Sequence, residues 1–164
     1  MKKTIIGIVA GIPILLAWMP THFGFELAGA ASSAQAAPEW KDARQISAPE
    51  LVKRIAGPEA QRPVVLQVGY HVLYEGAHIP GAIFAGPAAS ATGLVLLRAE
   101  AGRIPRNKEV VIYCGCCPWE KRPNVHPAYD ELREMRFTNL VVLLIPHDFH
   151  QDWIVPGYPV ERGK

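Results

Sequence analysis

The sequence predicts an α/β domain, with a central parallel β-sheet flanked by helices on both faces. Three observations carry this expectation. The short apolar runs Val64–Val68, Val110–Tyr113 and Leu140–Ile145 read as strands covered on both sides. Stretches with apolar residues at helical spacing separate them, and such alternation favours a parallel sheet. All three cysteines, Cys114, Cys116 and Cys117, directly follow the middle run. That position is the sheet edge where open α/β folds bind ligands.

The N-terminal residues differ in composition from the rest. Lys2 and Lys3 precede an apolar stretch from Ile5 to Met19, and Ala34-Gln35-Ala36 offers the small-x-small pattern of a cleavage site. The stretch falls short of the ~20 residues that cross a bilayer as a helix, and Pro13 interrupts it. Residues 1–36 are therefore expected to be a signal peptide, with the protein periplasmic or secreted and free of the membrane after its removal. An uncleaved N-terminal membrane anchor is the alternative, because Met19 lies far from Ala36. Residues 37–46 would form an N-terminal extension and residues 47–162 the folded domain. The 164-residue chain carries a formal charge of +2, one unit less without Lys2, Lys3 and Glu26. Such a balance gives no electrostatic basis for binding nucleic acid.

Within the domain, Ser47 with Glu50 three residues later reads as a capping box, and Leu51, Val52 and Ile55 give a helical stripe ending at Gly57-Pro58. Val64–Val68 is a strand, and Ala82-Ile83-Phe84 a shorter one. Ala88 to Ala101 carries Leu94, Leu97 and Ala101 at helical spacing and stops at Gly102. Val110–Tyr113 leads into the cysteines. Ala128 to Met135 reads as a helix with Leu132 and Met135 on one face, and Leu140–Ile145 is a last strand closed by Pro146.

Three motifs in this order resemble the rhodanese-like domain family. The segment Tyr74-Glu75-Gly76-Ala77-His78-Ile79-Pro80-Gly81-Ala82 is similar to the family's aromatic-x-x-Gly-His-Ile-Pro-Gly-Ala signature, with Ala77 for the usual glycine. Cys114, closing the Val-Val-Ile-Tyr strand, stands at the position of the sulfur-carrying cysteine. Trp153 to Val160 is similar to the C-terminal Trp-x-x-x-Gly-Tyr-Pro-Val. The resemblance covers roughly Ile46 to Val160. It implies a thiosulfate sulfurtransferase-like enzyme that moves sulfane sulfur through a persulfide on Cys114, without metal or other cofactor. Donor and acceptor would be a small sulfur-containing anion, a low-molecular-weight thiol or another thiophile such as cyanide, with a thiol-redox protein as a further partner. It also implies structural roles for His78, Pro80, Gly81 and Trp153. Departures from the pattern are equally specific. Gln67 and Gly69 stand where the family usually has an Asp and an Arg. The loop after Cys114 is longer than usual and contains Pro118, Trp119, Pro123 and Pro127, and Pro146-His147-Asp148 replaces a glycine pair.

The chemistry of the loop follows from its residues. Only a thiolate attacks a sulfane sulfur, and a free cysteine titrates near ~8.5. Bringing it to about 6.5 takes roughly 2.7 kcal/mol of anion stabilisation. A helix N-terminus supplies at most ~2 kcal/mol. Inward-pointing loop amides, with Gly115 letting the chain curl, are expected to supply the rest. Lys121 or Arg122 would add charge if either turned toward the sulfur. Cys116 or Cys117 would act as a resolving thiol, attacking the persulfide and leaving a disulfide; otherwise the two are loop residues that pair with each other or with an outside thiol. A phosphatase-like use would need an arginine six residues after the cysteine, where this chain has Glu120. The rival reading is a non-catalytic module using Cys114, Cys116, Cys117 and His126, His147 or His150 for soft-metal binding or thiol exchange. Trp119 is expected to cover the loop.

Overall fold

The computed structural model describes residues 43–163; the expected signal peptide and residues 37–42 lie outside them. Five strands form one sheet: β1 (Arg44–Ser47), β2 (Val64–Gln67), β3 (Ile83–Phe84), β4 (Val110–Tyr113) and β5 (Leu140–Leu144). They run parallel in the order β1-β5-β4-β2-β3. Four helices connect them: α1 (Ala48–Ile55), α2 (His71–Gly76), α3 (Ala91–Ala101) and α4 (Val125–Glu134). Among the described residues, no helix is long and apolar enough to cross a membrane.

Alternation along the strands divides the interior into two layers. Leu66, Val110, Ile112 and Val142 pack with Leu97, Ala101, Ala128 and Leu132 of α3 and α4. Val65, Val111, Tyr113 and Leu143 face the other way, onto Leu51 of α1, Tyr74 of α2 and Trp153. Each fully buried aliphatic side chain contributes about 1.5–3 kcal/mol. Burial on both faces explains why β4 and β5 read as continuous apolar runs rather than alternating ones.

The element boundaries depart from the sequence reading in definite places. Ser47 precedes α1, but its side chain makes no capping hydrogen bond. Glu50, expected to reach back to it, instead pairs with Arg54 at 2.5 Å. Helix α3 starts only after Ser90, whose hydroxyl accepts from the Gly93 N–H at 3.0 Å; Ala88 and Ala89 lie before the cap. Helix α4 begins at Val125 rather than Ala128. Part of the expected extension is an edge strand, since Arg44, Gln45 and Ile46 pair with Val141, Val142 and Leu143.

Strand order reverses between β2 and β4: the chain steps outward to β3, then crosses back to the far side of β2. The carboxyl ends of β2 and β4 therefore meet at the switch point where α/β sheets open a crevice. The C-terminal segment closes the opposite layer. Trp153 is fully buried, donates from Nε1 to Pro159 O at 2.9 Å and meets Tyr158 edge-on. His78, also buried, joins Glu161 in an antiparallel bridge. Its Nδ1–H donates to Tyr74 O at 2.7 Å. Gly81, in a turn at φ 72°, donates to the Glu161 carboxylate at 3.0 Å, with Pro80 just before it.

Candidate active site

Cys114 is the first residue beyond β4, on the side of the sheet covered by α4. Only 1% of it is exposed, yet it lines a cavity of about 420 Å³ together with Cys116, Gln67, Leu73, Phe149 and Ile154. Gly115 then turns the chain at φ 74°, where a Cβ would lie 3.0 Å from that of Phe149. Its carbonyl accepts from the Phe149 N–H at 3.1 Å, so the start of the loop is tied to the segment after β5.

That curl stacks the three thiols. The sulfurs of Cys114 and Cys116 lie 2.9 Å apart, as do those of Cys116 and Cys117. Asn124, the residue just before α4, donates from Nδ2 to the Cys114 sulfur at 3.3 Å. Donation from the Cys116 thiol, then from Asn124 and the Cys116 backbone N–H, with the charge of Arg122 nearby, outweighs burial and draws the Cys114 pKa from 9.0 down to about 6. Cys116 moves the opposite way, upward, because it donates to Cys114 and is partly buried. The helix terminus and loop amides expected from the sequence are thus secondary. A neighbouring thiol is the principal source of the effect.

The departures at Gln67 and Gly69 have a common explanation. Gln67 donates to Cys114 O at 3.3 Å and accepts from the Gly69 N–H at 3.2 Å, bracing the two strand ends. A Cβ at position 69 would lie 2.7 Å from Cys114 O and 3.1 Å from its sulfur. An arginine there is incompatible with this seating of the cysteine.

Of the two loop cations, Lys121 and its neighbour Glu120 are exposed, whereas Arg122 is buried with 3% exposure. Its guanidinium lies 4.2 Å over the Trp119 ring, and Nη1 reaches Leu143 O at 3.5 Å. Nε and Nη2 find no hydrogen-bond partner among the described residues. Burial pulls its pKa down and the cysteine charges push it up. Trp119 therefore covers a cation, and its N–H holds Pro146 O at 3.0 Å. The loop from Pro118 folds as a single 3₁₀ turn, Trp119–Lys121.

The segment replacing the glycine pair has its own bonds. Asp152 accepts from the His147 N–H at 2.6 Å and contacts its Nδ1 at 2.9 Å, while Asp148 accepts from the Gln151 N–H at 2.8 Å. The alternative metal set does not assemble: among the described residues no group of three His, Cys, Asp or Glu side chains is placed to hold a metal ion. Sequence reasoning missed Asn124 as a donor to the sulfur. Its position just before a helix, ten residues after Cys114, was the available signal.

No protein-family model matches the chain, and no curated protein matches it either. Solved structures do. A rhodanese-like domain from Anabaena sp. is 21% identical, with 72% of this chain and 78% of that one covered and a TM-score of 0.52. A polysulfide-sulfur transferase from Wolinella succinogenes is 15% identical over 74% of this chain and 80% of its own, at a TM-score of 0.53. A thiosulfate sulfurtransferase from Pseudomonas aeruginosa is 19% identical over 76% of this chain but 21% of its own, at 0.55. The chain thus has the rhodanese-like fold.

Proposed function

We propose that the chain is a sulfurtransferase that takes sulfane sulfur from thiosulfate or a persulfide onto Cys114 and passes it to a thiophilic acceptor. The observation carrying this reading is a thiol of pKa about 6 on the wall of a 420 Å³ cavity at the switch point of the sheet. With thiosulfate, the Cys114 thiolate attacks the outer sulfur. The S–S bond of the donor breaks, sulfite leaves with the electron pair, and a persulfide anion remains on Cys114. A thiol ionised at neutral pH needs no general base for this step. Asn124 and the Cys116 N–H hold the charge, and Arg122 supplies a cation beneath the loop. The low thiol pKa and the similarity to thiosulfate and polysulfide sulfurtransferases support the reading. In the same reading, residues 1–36 carry the domain out of the cytoplasm, where its substrates are small sulfur anions and thiols.

Intact-mass measurement after incubation with thiosulfate tests the assignment. Cys116→Ser, which keeps Cys114 and removes a competing thiol, is expected to gain about 32 Da, one sulfur atom, and to lose it on addition of cyanide. Combining Cys114→Ser with that change should leave no adduct. A persistent adduct in the double variant would remove Cys114 from the role.

A further inference from the structure

We propose that Cys116 resolves the Cys114 persulfide, so that the sulfane sulfur leaves as sulfide and the loop is left as a Cys114–Cys116 disulfide for an external dithiol to reduce. This deepens the assignment above and rests on it. The observation is the 2.9 Å contact between the two sulfurs. Cys116 touches the atom that becomes the inner sulfur of the persulfide, not the outer one. Attack by Cys116 therefore forms a bond to the Cys114 sulfur and expels the terminal sulfur, rather than passing it along the loop. Charge and protons balance within the pair. The persulfide anion first takes the Cys116 proton onto its terminal sulfur, and the Cys116 thiolate so formed attacks the inner sulfur, so that the proton leaves with the hydrosulfide. Two thiols are oxidised to a disulfide while the sulfane sulfur is reduced.

Burial argues for an internal step. At 1% exposure, Cys114 meets small molecules through the cavity but not the surface of another protein. Cys116 and Cys117 are partly exposed, which places the accessible end of the chain of sulfurs at the surface. A nucleophile already in contact needs no encounter, an advantage equivalent to a very high local concentration. The ring closed by Cys114 and Cys116 is small and hence strained and readily reduced. An external dithiol attacking Cys116 would expel Cys114, the thiol of lower pKa and the better leaving group. Its second thiol then clears the mixed disulfide, restoring both cysteines. Cys117, 2.9 Å from Cys116, is not consumed in this cycle.

A single-turnover experiment under argon tests the proposal, using reduced, desalted full-length chain and one equivalent of thiosulfate. The unsubstituted protein should release one hydrosulfide per chain without added reductant. It should end about 2 Da lighter, with two thiols lost to titration. Cys116→Ser should release none and hold the adduct of about 32 Da, forming thiocyanate from cyanide more slowly because a hydroxyl replaces the thiol that donates to Cys114. Cys117→Ser should behave as the unsubstituted protein. A stable persulfide and three unchanged cysteines in the unsubstituted chain, with the adduct also present in Cys116→Ser, would overturn the resolving role and leave the carrier role standing. Absence of the adduct from Cys116→Ser would overturn both.

Discussion

Alkylation of Cys114 by iodoacetamide, followed by peptide mass spectrometry, is expected to titrate with a midpoint near about 6. The largest contribution is the hydrogen bond from the Cys116 thiol, so Cys116→Ala should shift the midpoint upward toward 9.0. Cys116→Ser, which retains an O–H donor, should fall between. At pH 7 a thiol of pKa about 6 is roughly nine-tenths ionised, and one near 9 about one-hundredth. Full loss of the effect would therefore cut the reactive fraction by up to roughly 90-fold. A midpoint near 9.0 in the unsubstituted protein, the unshifted value, would refute this account. The same shifts set the pH dependence of stability. The folded-state value of Cys114 lies below its unfolded one, so this contribution grows as pH rises from about 6 to 9.0 and is lost on acidification through about 6. Cys116 has the opposite sign: its raised folded value makes stability fall above about 9. Denaturant midpoints between pH 5 and 10 should thus climb and then decline.

Arg122→Met is expected to make the fold more stable and the site less reactive. Two guanidinium nitrogens are buried without a hydrogen-bond partner among the described residues, and an unsatisfied buried donor costs about 1–3 kcal/mol, more when charged. The Cys114 thiolate partly offsets that cost, because each charge favours the other. Near pH 5 the thiolate takes up its proton and the offset disappears. The variant should therefore gain about 1–3 kcal/mol in urea unfolding near pH 5, and less at pH 7.5. Methionine retains length and apolar contact with Trp119 while discarding the charge. In the same variant the alkylation midpoint of Cys114 should rise. A gain in stability that did not vary with pH would show that the two groups are not coupled.

The fold was legible where one physical signal dominated. β2, β4 and β5 are buried on both faces, and their apolar runs ended within a residue of the observed strands. Elements set by tertiary pairing were not visible. β1 exposes three of its four residues and buries only Ile46, so no run marks it. α2 spans six residues, of which only Tyr74 is buried, too short for a periodic stripe. Helix starts were misread for local reasons. The Ser90 cap overrides the alanines before it, and Pro127 falls in the first turn of α4, where a missing N–H is tolerated. In the site, a thiol at a strand end was evident from the chain alone. The contacts of Gln67, Gly69 and Asn124 with it exist only once β2, β4 and α4 stand side by side.

The bare α-carbon at position 69 limits how this scaffold can be redesigned. Grafting a basic side chain there to strengthen anion capture would displace the nucleophile before any ligand arrived. Laboratory evolution toward bulkier or more highly charged donors must instead work from the opposite wall, where Val72 and Leu73 line the opening and are both exposed.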